Sequence, residues 1–191
     1  MSAILEVLSQ RWSPRAFAPR AIEADKLTAL FEAARWAPSC YNDQPWSFLI
    51  MRRGTDAAYE QLLATLMAAN QAWAATAPVL VLNTVRKHFS HNGKPNRWAH
   101  YDLGLAVGNL LSEATHLGLL VHQMAGFDAD LAQRSLALPD DHEAVAVMAM
   151  GYLGDPASLP SGVEEKSPAQ RERKALAEFA YVGQWQRGLD N

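Results

Sequence analysis

Residues 98–117 read WAHYDLGLAVGNLLSEATHL. At helical spacing, Leu103, Val107, Leu110, Ala114 and Leu117 form one apolar stripe. Leu105, Ala106 and Leu111 widen that stripe almost all round. A helix with so little polar surface belongs at the centre of a fold or in a subunit interface. Gly104 and Gly108, four residues apart, leave room for a second backbone to approach. On either side of this helix the pattern changes to short apolar runs. Residues 78–85 (PVLVLNTV), 119–125 and 143–153 (EAVAVMAMGYL) read as buried strands, the first opened by its proline. Residues 46–53 (WSFLIMRR) give a fourth. Residues 23–36 place Leu27, Leu30, Phe31 and Ala34 on one helical face. Residues 3–10, 56–75, 128–138 and 169–181 read as further helices. Helices alternating with about four strands predict a layered α/β or α+β domain.

The rest of the 191-residue chain fits one such domain, spanning 1–191. Hydrophobic residues make up 49%, and the net charge is only −3, which excludes general disorder. With 17 Lys+Arg against 20 Asp+Glu, the balance disfavours nucleic acid or an anionic membrane as partner. The longest charge-free run, Gln61–Val85, is interrupted by Asn70, Gln71, Pro78 and Asn83, so it reads as a helix and a strand, not a membrane span. The N-terminal residues show no secretory pattern, and a cytoplasmic protein is expected. The single cysteine, Cys40, excludes an internal disulfide and a multi-cysteine metal site. His88 and His91 have no neighbouring ligand, so no metal is expected.

Three segments carry chemistry. Arg11-Trp12-Ser13-Pro14-Arg15 puts two guanidinium groups and a hydroxyl on a proline-stiffened loop. Such a loop either cradles a phosphate or is a solvated surface loop. Ala37-Pro38-Ser39-Cys40-Tyr41-Asn42-Asp43-Gln44-Pro45-Trp46 is braced by two prolines and presents two amides and a hydroxyl. It reads either as a reader of a heterocycle's polar edge or as a turn capped by Asn42. Arg171-Glu172-Arg173-Lys174 alone is an exposed helix face. The polar loop 86–97 is long enough to act as a lid or binding loop. There is no GxGxxG, no GxxxxGK[ST] and no GxSxG, so Rossmann, P-loop and hydrolase-elbow chemistry have no support. Cys40 has no base placed beside it and reads as incidental.

Taken together, these segments resemble the nitroreductase family of FMN-dependent oxidoreductases. The matching stretches occur in the family's order. They are Arg11–Phe17, Ala33–Ser39 running into Asn42–Trp46, Asn70–Trp73 with Ala77–Leu80, Asp102–Ala106, His116–Leu119, Met124–Asp128, Met150–Tyr152 and Arg173–Glu178. The resemblance implies an α+β sandwich, its central sheet of four to five strands flanked by helices, in an intertwined homodimer with FMN at the interface. It also implies that the extension 153–191 wraps the partner subunit.

By the same resemblance, Arg11, Trp12, Ser13 and Arg15 hold the phosphate and ribityl end of FMN, with Arg171 or Arg173. Pro38, Ser39, Asn42 and Gln44 come to the flavin from the partner. Gln71 reaches the ring's polar edge, and Gln123, Met124, Ala125 and Gly126 lie along it. Tyr41, Trp98 and Phe127 shape the substrate pocket. The implied activity passes hydride from NADH or NADPH through the flavin to a nitroaromatic, quinone or similar electrophile, in ping-pong order and without a catalytic side chain. The alternatives are other flavin chemistry on this fold (enoyl or aldehyde reduction, dehalogenation, flavin fragmentation) and a non-catalytic flavin-binding protein. Three departures stand out: Cys40-Tyr41 in place of small residues, Ala125-Gly126 in place of a Gly-Gly pair, and the variable loop 86–98. They bear on specificity and not on the cofactor.

Overall fold

A computed structural model describes residues 4–189. Residue 3 of the expected first helix and residues 190–191 of the extension lie outside that range. Four strands form one antiparallel sheet: β1 (Trp46–Arg52), β2 (Val79–Arg86), β3 (Leu120–Met124) and β4 (His142–Gly151), in the order β1-β2-β4-β3. The helices are α1 (Glu6–Gln10), α2 (Ala24–Arg35), α3 (Ala58–Thr65), α4 (Ala68–Ala74), α5 (Ala99–His116) and α6 (Ala129–Ser135). This is the mixed α and β sandwich expected.

Side chains alternate across the sheet with the period of two that pleating imposes. Val79, Val81 and Val85 of β2 join Met148 and Met150 of β4 in a core under α2 and α5. Leu80 and Leu82, with Val147 and Ala149, face the other way into a core under α3, α4 and α6, centred on Trp73 and Tyr59. Both faces are therefore covered, and β2 and β4 are apolar along nearly their whole length. The register of β2 against β4 shifts between Asn83 and Thr84, leaving Val145 as a bulged residue.

α5 is not buried all round. Ala99, Leu103, Ala106, Val107, Leu110 and Ala114 pack on the sheet, whereas Tyr101, Gly104 and Gly108 face outward with open space beside both glycines. Two expected helices come out differently. The helix expected at 56–75 is broken at Leu66–Met67, where the backbone is extended (Leu66 φ −69, ψ 147) and Leu66 forms a bridge with Phe127. That pairing competes successfully with helix continuation, a tertiary effect with no local signal. The helix expected at 169–181 is replaced by single turns at Pro168–Gln170 and Leu176–Glu178. Its apolar members Leu176 and Phe179 are exposed, and a helix of that length needs a packed face to persist.

Candidate functional site

The first cluster forms where the chain leaves α1. Arg11, Trp12 and Ser13 line a cavity of about 260 Å³ together with Lys166, Ser167, Arg171 and Arg173 from the C-terminal segment. Four cationic side chains converge there with no carboxylate among the lining residues. Arg11 donates to Ser13 Oγ at 3.2 Å. Burial lowers the Arg11 pKa, and the nearby charges of Arg173 and Arg171 lower it further. Like charges crowded around one cavity favour an anion as its ligand. Arg171 is also a clamp, because its guanidinium donates to the carbonyls of Pro168 (2.9 Å), Ser9 (2.8 Å) and Arg11. Sequence reading brought Arg11, Ser13, Arg171 and Arg173 here but missed Lys166 and Ser167, which sit in an irregular stretch without pattern.

Arg15 behaves differently. Its guanidinium donates to the Glu164 carbonyl at 3.0 Å, and it does not line the cavity. The backbone N–H groups of Arg15 and Ala16 donate to the Glu165 carboxylate at 2.8 and 2.7 Å. Beneath the loop lies His122 of β3. Its Nδ1 bonds the Pro14 carbonyl at 2.8 Å, and its ring lies tilted at 34° against Trp73 with centroids 4.4 Å apart. Burial holds the His122 imidazole below its ordinary pKa, so Nδ1 is the donor of a neutral ring.

The second cluster continues from β3. Gly126 accepts at its carbonyl from the Met67 N–H and from Asn70 Nδ2, both at 3.0 Å. A Cβ at Gly126 would lie 2.8 Å from Asn70 Nδ2, so a larger residue there would displace the Asn70 amide from the Gly126 carbonyl. Gln71 donates to the carbonyls of Leu66 (2.9 Å) and Ala64 (3.2 Å), which pins its amide beside this seam. Met124 is buried in the core, leaving its backbone as the part available. Gln123, one residue back, points to the opposite face and lines a cavity of about 190 Å³ under α5 with Asn83 and His100. Phe127 is partly buried against the α3–α4–α6 core.

The third cluster is the loop 37–45. Tyr41, Asn42 and Gln44 adopt φ of 55°, 54° and 48°, values costly for side chains with a Cβ. Bonds within the loop and one to α5 hold them. The Gln44 N–H donates to Ser39 Oγ at 3.0 Å, and the Cys40 N–H donates to the buried Asp102 carboxylate at 3.1 Å. Gln44 Nε2 reaches Asn42 Oδ1 at 3.1 Å, and Pro38 is exposed. Asp43 accepts from Ser90 N (2.9 Å), Ser90 Oγ (2.6 Å) and Arg86 Nη2 (2.8 Å). Burial raises its pKa, but the bonds from Ser90 and Arg86 outweigh that and hold it below the usual range. Asp43 thus ties this loop to loop 86–97, a role visible only in three dimensions. Above it the exposed Tyr41 ring meets Phe89 at 5.8 Å and His91 at 5.3 Å. Trp98, also half-exposed, pairs edge-on with Tyr101.

The sheet register separates the third cluster from the first two. Pro14 is level with His122, which pairs with Ala149 and, through it, Leu80. Loop 37–45 enters the sheet at Trp46, opposite Val85. Five residues along β2 are about 17 Å, and the three gaps from edge strand β3 to edge strand β1 add about 14 Å sideways. The loops are thus roughly 20 Å apart in one chain.

This is a layered α+β protein with a cation-lined cavity beside one sheet edge and a strained polar loop beside the other. The Nitroreductase family model matches residues 8–152, and the chain belongs to that family of oxidoreductases. A solved structure described as an oxidoreductase containing FMN superposes with a TM-score of 0.86 at 34% identity, covering 96% of this chain and 93% of that one. An uncharacterized 15.4 kDa protein of Mycolicibacterium smegmatis is 35% identical over 144 residues, 72% of this chain and 96% of its own length. A Streptomyces coelicolor protein carrying the name NADH dehydrogenase/NAD(P)H nitroreductase is 28% identical over 159 residues, 73% of this chain and 78% of its own. Among the described residues no helix is long and apolar enough to cross a membrane, and no group of side chains could hold a metal ion.

Proposed function

We propose that the protein is an FMN-dependent oxidoreductase that takes electrons from NADH or NADPH and passes them to a small electrophile such as a nitroaromatic or quinone. The observation that carries this reading is the cradle of Arg11, Ser13, Lys166, Arg171 and Arg173, with four cations around a cavity of about 260 Å³ and no carboxylate among its lining residues. That donor set fits the phosphate dianion of FMN, since guanidinium groups bind such an anion by paired, charge-assisted bonds. Gln71 lies beside the seam at Gly126; both its Nε2 protons go to backbone carbonyls, so it offers its Oε1 as an acceptor to a ring's polar edge. Bound FMN supplies the redox chemistry.

The chain's own residues bind and orient. Arg11 and Arg173 neutralise the phosphate, while Arg171 holds the C-terminal segment against the loop that carries Arg11 and also adds charge. Pro38, Ser39, Asn42 and Gln44 serve the same site from a second copy, because in their own chain they stand roughly 20 Å from the cradle along the register. The functional unit is then a homodimer with two sites. Tyr41 borders the pocket, and Cys40 has no chemical role. With no second nucleotide-binding motif in the chain, donor and acceptor share one place and alternate, giving ping-pong kinetics.

The test is anaerobic. Protein reconstituted with FMN is mixed with NADH or NADPH, and the flavin absorbance is followed. Bleaching, then recovery on adding a quinone or nitroaromatic, with parallel double-reciprocal lines, is the expected result. Flavin that neither nicotinamide bleaches would overturn the reductase reading.

A further inference from the structure

The segment that brings Lys166, Arg171 and Arg173 to the cradle has almost no apolar anchorage of its own. Val163 packs against the core, but from Lys166 to Lys174 the described side chains are exposed. Polar ties must therefore hold it, and the densest is Glu165. Its carboxylate accepts from Arg15 N–H at 2.8 and 3.0 Å and from Ala16 N–H at 2.7 Å. It also accepts from its own neighbour Lys166 N–H at 3.1 Å. Arg15 completes the fastening from the other side through the Glu164 carbonyl. An acidic side chain this close to an anion site would ordinarily weaken it by repulsion. Here the carboxylate is directed at backbone donors, and the cradle's guanidinium groups keep their charge for something else.

We infer that Glu165 is a positioning residue that buttons the C-terminal segment onto the 13–16 loop, and that selectivity for a phosphorylated flavin depends on it although it does not touch the phosphate. This rests on the FMN reading above. It places one end of the segment through Glu165 and the other through Arg171, with Lys166 and Arg173 carried by the strap. Removing Glu165 frees the strap's near end and disperses those charges. The part of the site that holds the ring, at Gly126 and Gln71, lies on the loop after β3 and on α4 and does not depend on the strap.

The test compares two ligands that differ only in the phosphate. FMN and riboflavin are titrated into flavin-free protein, wild type and Glu165→Ala, by flavin fluorescence. FMN affinity is expected to fall at least about tenfold in the variant, with riboflavin affinity unchanged. Glu165→Gln, which keeps one acceptor oxygen, should fall between. In the Arg173→Ala background, Glu165→Ala should add little, since both changes remove the same contribution. Equal loss of both flavins would mean a general structural role and overturn the inference. So would unchanged FMN affinity, or tighter FMN binding, which would mean that Glu165 competes with the phosphate. Wild-type protein binding FMN no better than riboflavin would overturn the phosphate cradle itself, and the inference with it.

Discussion

Arg11 and Arg15 look equivalent in the RWSPR loop, yet the structure gives them different work. Arg11 faces the cradle, while Arg15 is tied to Glu164. Arg11→Ala should therefore weaken FMN binding by about 10- to 150-fold, the value of one lost charge-assisted contact, and Arg15→Ala by less. Equilibrium titration of flavin-free variants decides between them, and a larger loss at Arg15 would reverse the assignment. His122 offers a second test. Burial holds its pKa below the ordinary value of about 6.5, against the opposing pull of the Pro14 carbonyl. The unfolded chain then takes up a proton that the folded protein refuses, so stability falls as pH drops below about 6.5. Denaturation midpoints between pH 5 and 8 should show this slope, and His122→Asn should flatten it. Residue identity made the cationic loop and the amide loop legible in sequence. Lys166, Glu165 and Asp43 were not, because their partners lie far away in the chain.

At the scale of elements, β2 and β4 were readable because burial on both faces leaves continuous apolar runs, and α5 because its sheet-facing apolar stripe recurs at helical spacing. The break at Leu66 was not, since the Phe127 bridge that imposes it is 61 positions away in the chain. The contact that aims the cradle loop is of the same long-range kind. Phe17 bridges Leu153, Gly154 N–H donates to the Ala16 carbonyl at 3.0 Å, and Ala18 N–H donates to Tyr152 at 2.9 Å. A Cβ at Gly154 would lie 2.5 Å from the Phe17 carbonyl carbon, a clash with backbone that no side-chain rotation relieves. Gly154→Ala should cost roughly 1–3 kcal/mol in stability and, by displacing residues 16–18, weaken FMN binding as well. Urea denaturation and flavin titration read the two effects. A variant as stable as wild type would show that this ladder is loose.

For the whole molecule, the decisive geometry is the separation of the cradle from loop 37–45 by roughly 20 Å. Two defective chains should then repair each other. Arg11→Ala spoils one half of each site and Asn42→Ala the other, so a mixed dimer keeps one intact site and one doubly damaged site. Unfolding and refolding the two variants together should restore up to about a quarter of wild-type turnover by random pairing, whereas refolding them apart restores none beyond their own residual rates. No gain on mixing would place both halves of the site in one chain.

A site divided in this way makes the cofactor a party to assembly. On the proposed reading each flavin would join two chains, so its binding energy would be shared with the contact between them and mass action would couple the two equilibria. Diluting the protein should release flavin even when free FMN is held constant, and adding FMN should raise the temperature of unfolding more steeply in dilute samples than in concentrated ones. In a crowded cell the protein would keep its colour; on a long gel-filtration column it would lose colour and partner together.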